Sequence, residues 1–225
     1  MSEEIRIIET GDGSQSLYNS MLRETYHSTH GALTESRHVF IQMGLENLRE
    51  KGDEDIRILE VGLGTGLNAL LSIKYARDHS GISIDYHTLE PYPLDTEIVS
   101  QLSYPDMLAY EEAKSDFAMI HSSSWGSEQR VITNFSFTKY KEKIEHFSPD
   151  QQFELVFFDA FAPSKQSEVW ELGVLKNVVE HMAEGGVLVT YCAKGQFKRD
   201  LASLGLVVET LDGPPGKKEM VRATK

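Results

Sequence analysis

From residue 56 to residue 223 short apolar runs alternate with amphipathic stretches, and this alternation constrains the fold more than any other feature of the chain. The runs cover residues 56–61, 82–89, 131–137, 153–158, 186–192 and 206–211, with a last one at 219–223. Stretches 67–77, 94–102, 166–182 and 197–204 carry helical spacing between them. Strand and helix in such succession predict an α/β fold, a mostly parallel sheet covered by helices on both faces. Sheets of this kind bind ligands beyond the carboxyl ends of their strands, so function is expected in the loops that follow the runs. Residues 1–52 read as an N-terminal extension packed on a main domain of residues 53–225. The extension holds a strand at 3–9, a turn at Gly11-Asp12-Gly13-Ser14 and a helix at 38–51 spaced by Val39, Met43, Leu45 and Leu48.

The length of 225 residues suits one such domain with an extension. A single cysteine, Cys192, excludes a disulfide framework and a cysteine-based zinc site within the chain. His27, His30 and His38 form no metal set, because a His-x-x-His pair without a third ligand is usually incidental. No apolar run approaches the roughly 20 residues of a membrane span. The opening Met1-Ser2-Glu3-Glu4-Ile5 is acidic, unlike a secretory leader. The expectation is a soluble cytoplasmic protein without metal. The formal net charge of −13 repels a polyanion, yet seven cations face four anions from Thr190 onward. That end leaves an RNA partner open, with a merely solvated lysine face as the plain alternative.

Glycines at 62, 64 and 66 follow the first apolar run and open a helix at Leu67-Asn68. They allow a tight turn and let a ligand approach the main chain, while the helix start offers free N–H groups. The spacing is G-x-G-x-G rather than the G-x-G-x-x-G of a dinucleotide fingerprint. Glu60, two positions before the first glycine, disfavours a pyrophosphate and favours a cationic ligand. S-adenosylmethionine fits, with a positive sulfonium and amino group and a carboxylate for backbone donors. The second run ends in Glu90, an acid placed to accept hydrogen bonds from both ribose hydroxyls. These features resemble the class I S-adenosylmethionine-dependent methyltransferases, whose fold is Rossmann-like, over the chain from about Ile56 onward. The resemblance implies cofactor contacts at Glu60, Gly62, Gly64, Gly66, Asn68 and Glu90.

The run 153–158 leads into Asp159-Ala160-Phe161-Ala162-Pro163-Ser164-Lys165. In the fold implied above, this strand end faces the transferable methyl group, so Asp159 is placed to handle a protonatable amine. Its plain alternative is a helix cap. Pro163 stiffens the loop, Phe161 offers an apolar or stacking surface, and Trp170 reads first as core packing and second as a substrate face. Asp159-x-Phe161-Ala162-Pro163-x-Lys165 followed by Trp170 resembles the methyltransferase half of the MnmC-type tRNA wobble-uridine modification family. Gly31-Ala32-Leu33-Thr34-Glu35-Ser36-Arg37-His38-Val39-Phe40 is similar to its N-terminal motif, and Gly213-Pro214-Pro215-Gly216-Lys217-Lys218-Glu219-Met220 to its basic C-terminal loop. The likeness spans residues 20–225 and is to stand-alone, MnmD-like versions without the oxidase half. It departs at Phe137-Thr138-Lys139-Tyr140, where Lys139 stands in place of an acid near the adenine edge; Thr138 or backbone groups would then recognise adenine.

The resemblance implies methylation of 5-aminomethyl-(2-thio)uridine in tRNA, with Asp159 catalytic and Glu35, Phe161, Pro163, Lys165, Lys217 and Lys218 on the substrate. A separate oxidoreductase would act earlier in the same pathway. Tyr26, Phe161 and Trp170 are possible stacking surfaces for an unstacked base, and Lys165, Lys194, Lys198, Arg199, Lys217 and Lys218 are candidate phosphate contacts. Asp159 would orient the amine first and take its proton second. Three alternatives stay open: a methyltransferase for a small amine or a protein, an aminopropyltransferase, and a non-catalytic RNA-binding module.

Overall fold

The structure is a computed structural model and describes residues 5–225; Glu3 and Glu4 of the expected first strand, and the acidic opening, lie outside them. Three short antiparallel strands begin the chain: β1 (Ile5–Glu9), β2 (Gln15–Asn19) and β3 (Glu24–Thr25). A helical segment follows as α1 (Ala32–Ser36), a π-wound stretch Arg37–Glu46, and α2 (Asn47–Lys51). It starts well before the expected residue 38, because a cap reaches it from the β1–β2 turn. Asp12 Oδ2 accepts hydrogen bonds from Thr34 N and Thr34 Oγ1, both at 2.8 Å, which supplies the orphan donors of the first turn. Burial works against the Asp12 charge, but the bonds from Ser14 and Thr34 hold its carboxyl well below the usual carboxylate range. The π-wound stretch lies close on the sheet at Gly44, where an added Cβ would stand 3.1 Å from Val189 and 3.3 Å from Leu155.

The main sheet is then laid down. β4 (Asp55–Val61) leads into α3 (Leu67–Asp78), and β5 (Ser83–Leu89) follows. Short helices α4 (Thr96–Val99), α5 (Tyr104–Met107) and α6 (Ala113–Ser122) lead to β6 (Gln129–Ile132) and β7 (Phe135–Tyr140). After β8 (Phe153–Phe158) come a 3-10 turn at Ser167–Trp170, α7 (Leu172–Glu180), β9 (Met182–Thr190), α8 (Gly195–Ser203), β10 (Val207–Asp212) and β11 (Glu219–Thr224). The spatial order is β10-β11-β9-β8-β4-β5-β7-β6. The five strands from β9 to β7 are parallel, and antiparallel strands close both edges.

Side chains alternate across the sheet as the pleat requires. Ile56, Ile58, Leu155, Phe157, Val187 and Val189 face the core shared with Phe40, Leu45, α3 and α6. Leu59, Val61, Val156, Phe158 and Leu188 face the core shared with α7 and α8. The chain leaves β4 toward β5 on one side and returns through β8 on the other, so the strand order reverses at β4. That reversal opens a crevice at the carboxyl ends of β4 and β8.

Several sequence expectations change. The run 131–137 is two strands, because Thr133 and Asn134 turn the chain and the Asn134 amide donates to Ala76 O and Ile82 O. Stretch 94–102 is helical only over α4, and 166–182 splits into the 3-10 turn and α7, with Met182 already in β9. Among the described residues no helix is long and apolar enough to cross a membrane.

Candidate active site

At the crevice, β4 and β8 present their ends side by side. Asp159 N donates to Val61 O (3.1 Å), and Gly62 N and Leu63 N both donate to Leu89 O (3.0 and 3.2 Å). Gly62 has a left-handed φ of 99°, and a Cβ there would meet Asp159 O at 2.8 Å, so only glycine lets the two strand ends touch. A cavity of about 430 Å³ opens above this junction. Of the residues singled out by sequence, Gly62, Gly64, Glu90, Asp159, Phe161 and Lys165 line it, and so does Tyr26.

Glu60, Gly66, Asn68, Glu35, Pro163, Lys217 and Lys218 are absent from that lining. Gly66 is packed by protein rather than open to a ligand, since a Cβ would lie 2.8 Å from His121 Nε2. Glu60 is 0 % exposed and sits beneath the loop. Parallel register sets it opposite Thr88, whose hydroxyl donates to Oε2 at 2.6 Å, and Asn68 Nδ2 donates to Oε1 at 3.1 Å. Burial pushes the Glu60 carboxyl up to about 8, against those two bonds. The Asn68 amide also donates to Asp159 Oδ2 at 2.8 Å, so one side chain bridges the buried Glu60 and the cavity floor.

Asp159 is half-buried at that floor. Burial pushes its carboxyl up to about 7; Glu35 adds to the rise, while the Asn68 hydrogen bond and the Lys217 ammonium oppose it. A carboxyl poised near neutrality is suited to exchanging protons at physiological pH. Glu90 bonds the loop directly: Oε2 accepts from Gly64 N and Oε1 from Tyr92 N, both at 2.9 Å. Each oxygen keeps acceptor capacity for a ligand hydroxyl. Burial raises the Glu90 carboxyl while the two backbone donors counter it. The walls carry Glu142, Glu145 and Glu168 besides Glu90 and Asp159, against only Lys143 and Lys165. An acid-rich lining favours a cationic occupant and disfavours a phosphate.

Two aromatic rings and two lysines complete the picture. Tyr26 and Phe161 meet edge-to-face, 4.9 Å apart, at the cavity wall. Trp170 is buried, donates Nε1–H to Phe161 O at 2.8 Å and packs on Phe158 and Phe197, so it fixes the Asp159 loop from behind. Lys165 Nζ donates to Arg23 O at 3.1 Å, tying that loop to the β2–β3 turn. Lys139, where the resemblance led one to expect an acid, is buried, with Nζ donating to Ile120 O (2.9 Å) and His121 O (2.6 Å). It caps the carboxyl end of α6, where a cation complements the helix dipole. Rim residues Met21, Leu22, Tyr92 and Lys143 escaped the sequence analysis; Tyr92, 66 % exposed two residues after Glu90, carried the clearest signal.

These residues fit S-adenosyl-L-methionine. A glycine edge at Gly62 and Gly64, a strand-end carboxylate and an acid-rich wall match a cationic nucleoside, whereas a dinucleotide pyrophosphate would face repulsion.

Comparison with known proteins agrees. The chain is 28% identical to the "tRNA 5-methylaminomethyl-2-thiouridine biosynthesis bifunctional protein MnmC" of Leptospira borgpetersenii, over 88% of this chain and 32% of the relative. It is 25% identical to the protein of that name from Polaromonas naphthalenivorans, over 97% of this chain and 35% of the relative. The chain thus spans about a third of the length of these curated relatives. Among solved structures, MNMC2 from Aquifex aeolicus superposes with a TM-score of 0.80 at 24% identity, covering 97% of this chain and 69% of the other. Spermidine synthase from Thermotoga maritima superposes with a TM-score of 0.54 at 12% identity, covering 98% and 69%. Both likenesses are of fold, the class I Rossmann-like α/β fold. A family model described as S-adenosyl-L-methionine-dependent methyltransferase matches residues 111–225, just over half of the chain and including Asp159. With the strand order, the glycine edge and Asp159 on the cavity floor, the match settles the assignment: the chain belongs to this S-adenosyl-L-methionine-dependent methyltransferase family.

Proposed function

We propose that this chain methylates the primary amine of 5-aminomethyl-(2-thio)uridine at the wobble position of tRNA, giving 5-methylaminomethyl-(2-thio)uridine. The observation that carries the chemistry is Asp159, held by Asn68 on the floor of an acid-lined cavity. The tRNA substrate is supported by the MnmC relatives, which align with nearly the whole chain.

Gly62, Gly64 and Glu90 would hold the cofactor, with Glu60 and Asn68 supporting the loop from beneath. Bound S-adenosyl-L-methionine supplies an electrophilic methyl group on a sulfonium. An alkylammonium with a pKa of about 10 has no free lone pair at neutral pH. Asp159 accepts a hydrogen bond from the amine, aims its lone pair and takes the proton that must leave nitrogen. Positioning supplies most of the remaining advantage. Phe161 and Tyr26 offer an aromatic wall for a base taken out of its stack, and Pro163 and Lys165 fix the loop that carries Phe161. Thr138 is buried at 5 % exposure, which supports adenine recognition by backbone groups. Residues 1–52 form the extension and 53–225 the methyltransferase domain. A separate oxidoreductase, suggested by the bifunctional relatives, acts earlier in the same pathway, and the reaction is placed in the cytoplasm.

Incubation with labelled S-adenosyl-L-methionine and tRNA from cells lacking the modification tests the proposal. Nucleoside analysis is expected to place the label on the aminomethyl nitrogen of the wobble uridine. Label on free diamines or protein, with tRNA untouched, would overturn it, as would aminopropyl transfer from the decarboxylated cofactor.

A further inference from the structure

Two motifs far apart in the sequence, Gly31–Phe40 and Gly213–Met220, meet behind the Asp159 loop. Glu35, 4 % exposed, accepts a hydrogen bond from Ser28 N (2.7 Å) and an ion pair from Lys217 Nζ. The same ammonium lies 3.6 Å from the centroid of the Tyr191 ring. Tyr191 follows the carboxyl end of β9 and donates its hydroxyl to Ala160 O at 2.8 Å. Ala160 is the residue after Asp159. The loop that brings Lys217 passes close to the first motif, since a Cβ at Gly216 (φ 85°) would lie 1.9 Å from the His30 ring.

We propose that Glu35, Lys217 and Tyr191 form a positioning and charge-setting strut for Asp159, and that Lys217 is not a contact to RNA phosphate. The inference rests on Asp159 acting on an amine, as proposed above. A lysine that contacts phosphate needs a free ammonium, whereas this one is committed to a buried carboxylate and an aromatic face. Through Tyr191 it holds the backbone beside Asp159. Its charge offsets Glu35, which would otherwise stand as a bare anion near the catalytic carboxylate.

The other titratable groups close enough to feel the Asp159 charge are Glu60 from β4, Tyr86 from β5 and Tyr191 itself. Glu90 and Lys165 line the same cavity. Against that fixed background the two ends of the strut have opposite signs. Glu35 raises the Asp159 carboxyl and Lys217 lowers it. Lys217→Met is therefore expected to move the acid limb of the single-turnover pH–rate profile up by about 1 pH unit, and Glu35→Gln to move it down. Lys217→Arg keeps the charge and is expected to leave the limb near its wild-type position.

tRNA affinity and its salt dependence are expected to be unchanged in Lys217→Met. A carbon-13 carboxyl titration of Asp159 gives the same shifts without turnover, so a variant with little activity remains decisive. If Lys217→Met loses its fold, the downward shift in Glu35→Gln carries the test alone. An unmoved limb and titration in the folded variants, or a salt slope reduced by one contact in Lys217→Met, would overturn the strut. Failure of wild-type protein to methylate tRNA would overturn the proposed substrate instead, and the carboxyl titration would still report on the strut.

Discussion

The Gly62–Gly66 loop and the Gly213–Lys218 loop both look, in sequence, like backbone shaped around a ligand, and they are built for different purposes. The first lies at the junction of β4 and β8 and turns main chain toward the cavity, with Gly64 and Gly62 on its edge. The second turns back on protein: a Cβ added at Gly216 would meet the His30 ring, and one at Gly213 would lie 2.5 Å from the Lys217 carbonyl, while Pro215 and Lys218 stay exposed. Its product is one side chain, Lys217, delivered to buried Glu35. A glycine beside a lysine is thus no phosphate loop unless the lysine remains free. The partner that decides this lies in a motif almost the whole chain away.

The sharpest break between the two regions is catalytic. Asp159, which the first loop approaches at Gly62, is the proposed proton acceptor. Asp159→Asn is expected to bind cofactor nearly normally and to lower the methylation rate by about 10²–10⁴. The pH dependence has a definite sign. The Asp159 carboxyl, pushed up to about 7 by burial, is mostly protonated below that pH and then accepts no proton, so wild-type activity is expected to fall as pH drops through about 7. Single-turnover rates from about pH 6.5 to about pH 9 are expected to show this limb in wild type and not in Asp159→Asn. The variant should recover partly at high pH, where more amine is neutral. A variant matching wild type at every pH would reduce Asp159 to a structural cap.

Next in size is the steric contrast. Gly62→Ala forces a Cβ to 2.8 Å from Asp159 O, and Gly216→Ala one to 1.9 Å from His30, each at a left-handed φ. Gly62→Ala, against a backbone carbonyl, is expected to cost about 2–4 kcal/mol in denaturant unfolding, from backbone strain plus overpacking. Gly216→Ala, against an exposed ring that can turn aside, is expected to cost about 1–2 kcal/mol from backbone strain alone. Only Gly62→Ala should also abolish cofactor binding by calorimetry. Equal loss of binding in Gly216→Ala would erase the distinction between the loops.

What the sequence made legible follows from the range of the interactions. β4, β5 and β8 declare themselves by local apolar runs, and the strand ends bring Gly62, Glu90 and Asp159 to one cavity because each lies where its own strand stops. Glu60 lies outside the cavity lining because its neighbours are Thr88 on the next strand and Asn68 on the helix, which only the sheet register brings together. Lys139 looked like a lost cofactor contact and is the cap of α6, a helix the apolar pattern did not reveal. The strand expected at 131–137 concealed a turn, since both its halves are apolar and Asn134 bonds to carbonyls of a distant segment. Long-range polar pairing leaves no periodic trace in sequence.

Of smaller effect is the loss of Glu90. Glu90→Ala removes the proposed acceptor for the ribose hydroxyls and takes the side-chain partner from the Gly64 and Tyr92 amides. It is expected to weaken S-adenosyl-L-methionine by about 1.5–3 kcal/mol in calorimetry, the worth of hydrogen bonds to a charged acceptor. Wild-type affinity would move the cofactor away from this strand end.

The smallest effect separates two adjacent lysines. Lys218 is exposed, whereas its neighbour Lys217 is paired with Glu35. If the second loop touches RNA at all, Lys218 carries the contact. Each phosphate neutralised releases counterions and contributes about 0.7–0.9 to the slope of log affinity against log salt. Over a fourfold change in salt, Lys218→Met is therefore expected to lose about threefold less affinity for tRNA than wild type loses, with cofactor affinity untouched. Lys217→Met should keep the wild-type slope. If Lys218→Met keeps it too, the second loop serves the protein interior alone, and the RNA is gripped by other cations, with Lys165 at the cavity and Arg199 on α8 the next to test. If the two variants exchange behaviour, Lys217 leaves Glu35 when RNA binds, and the two loops converge on one purpose.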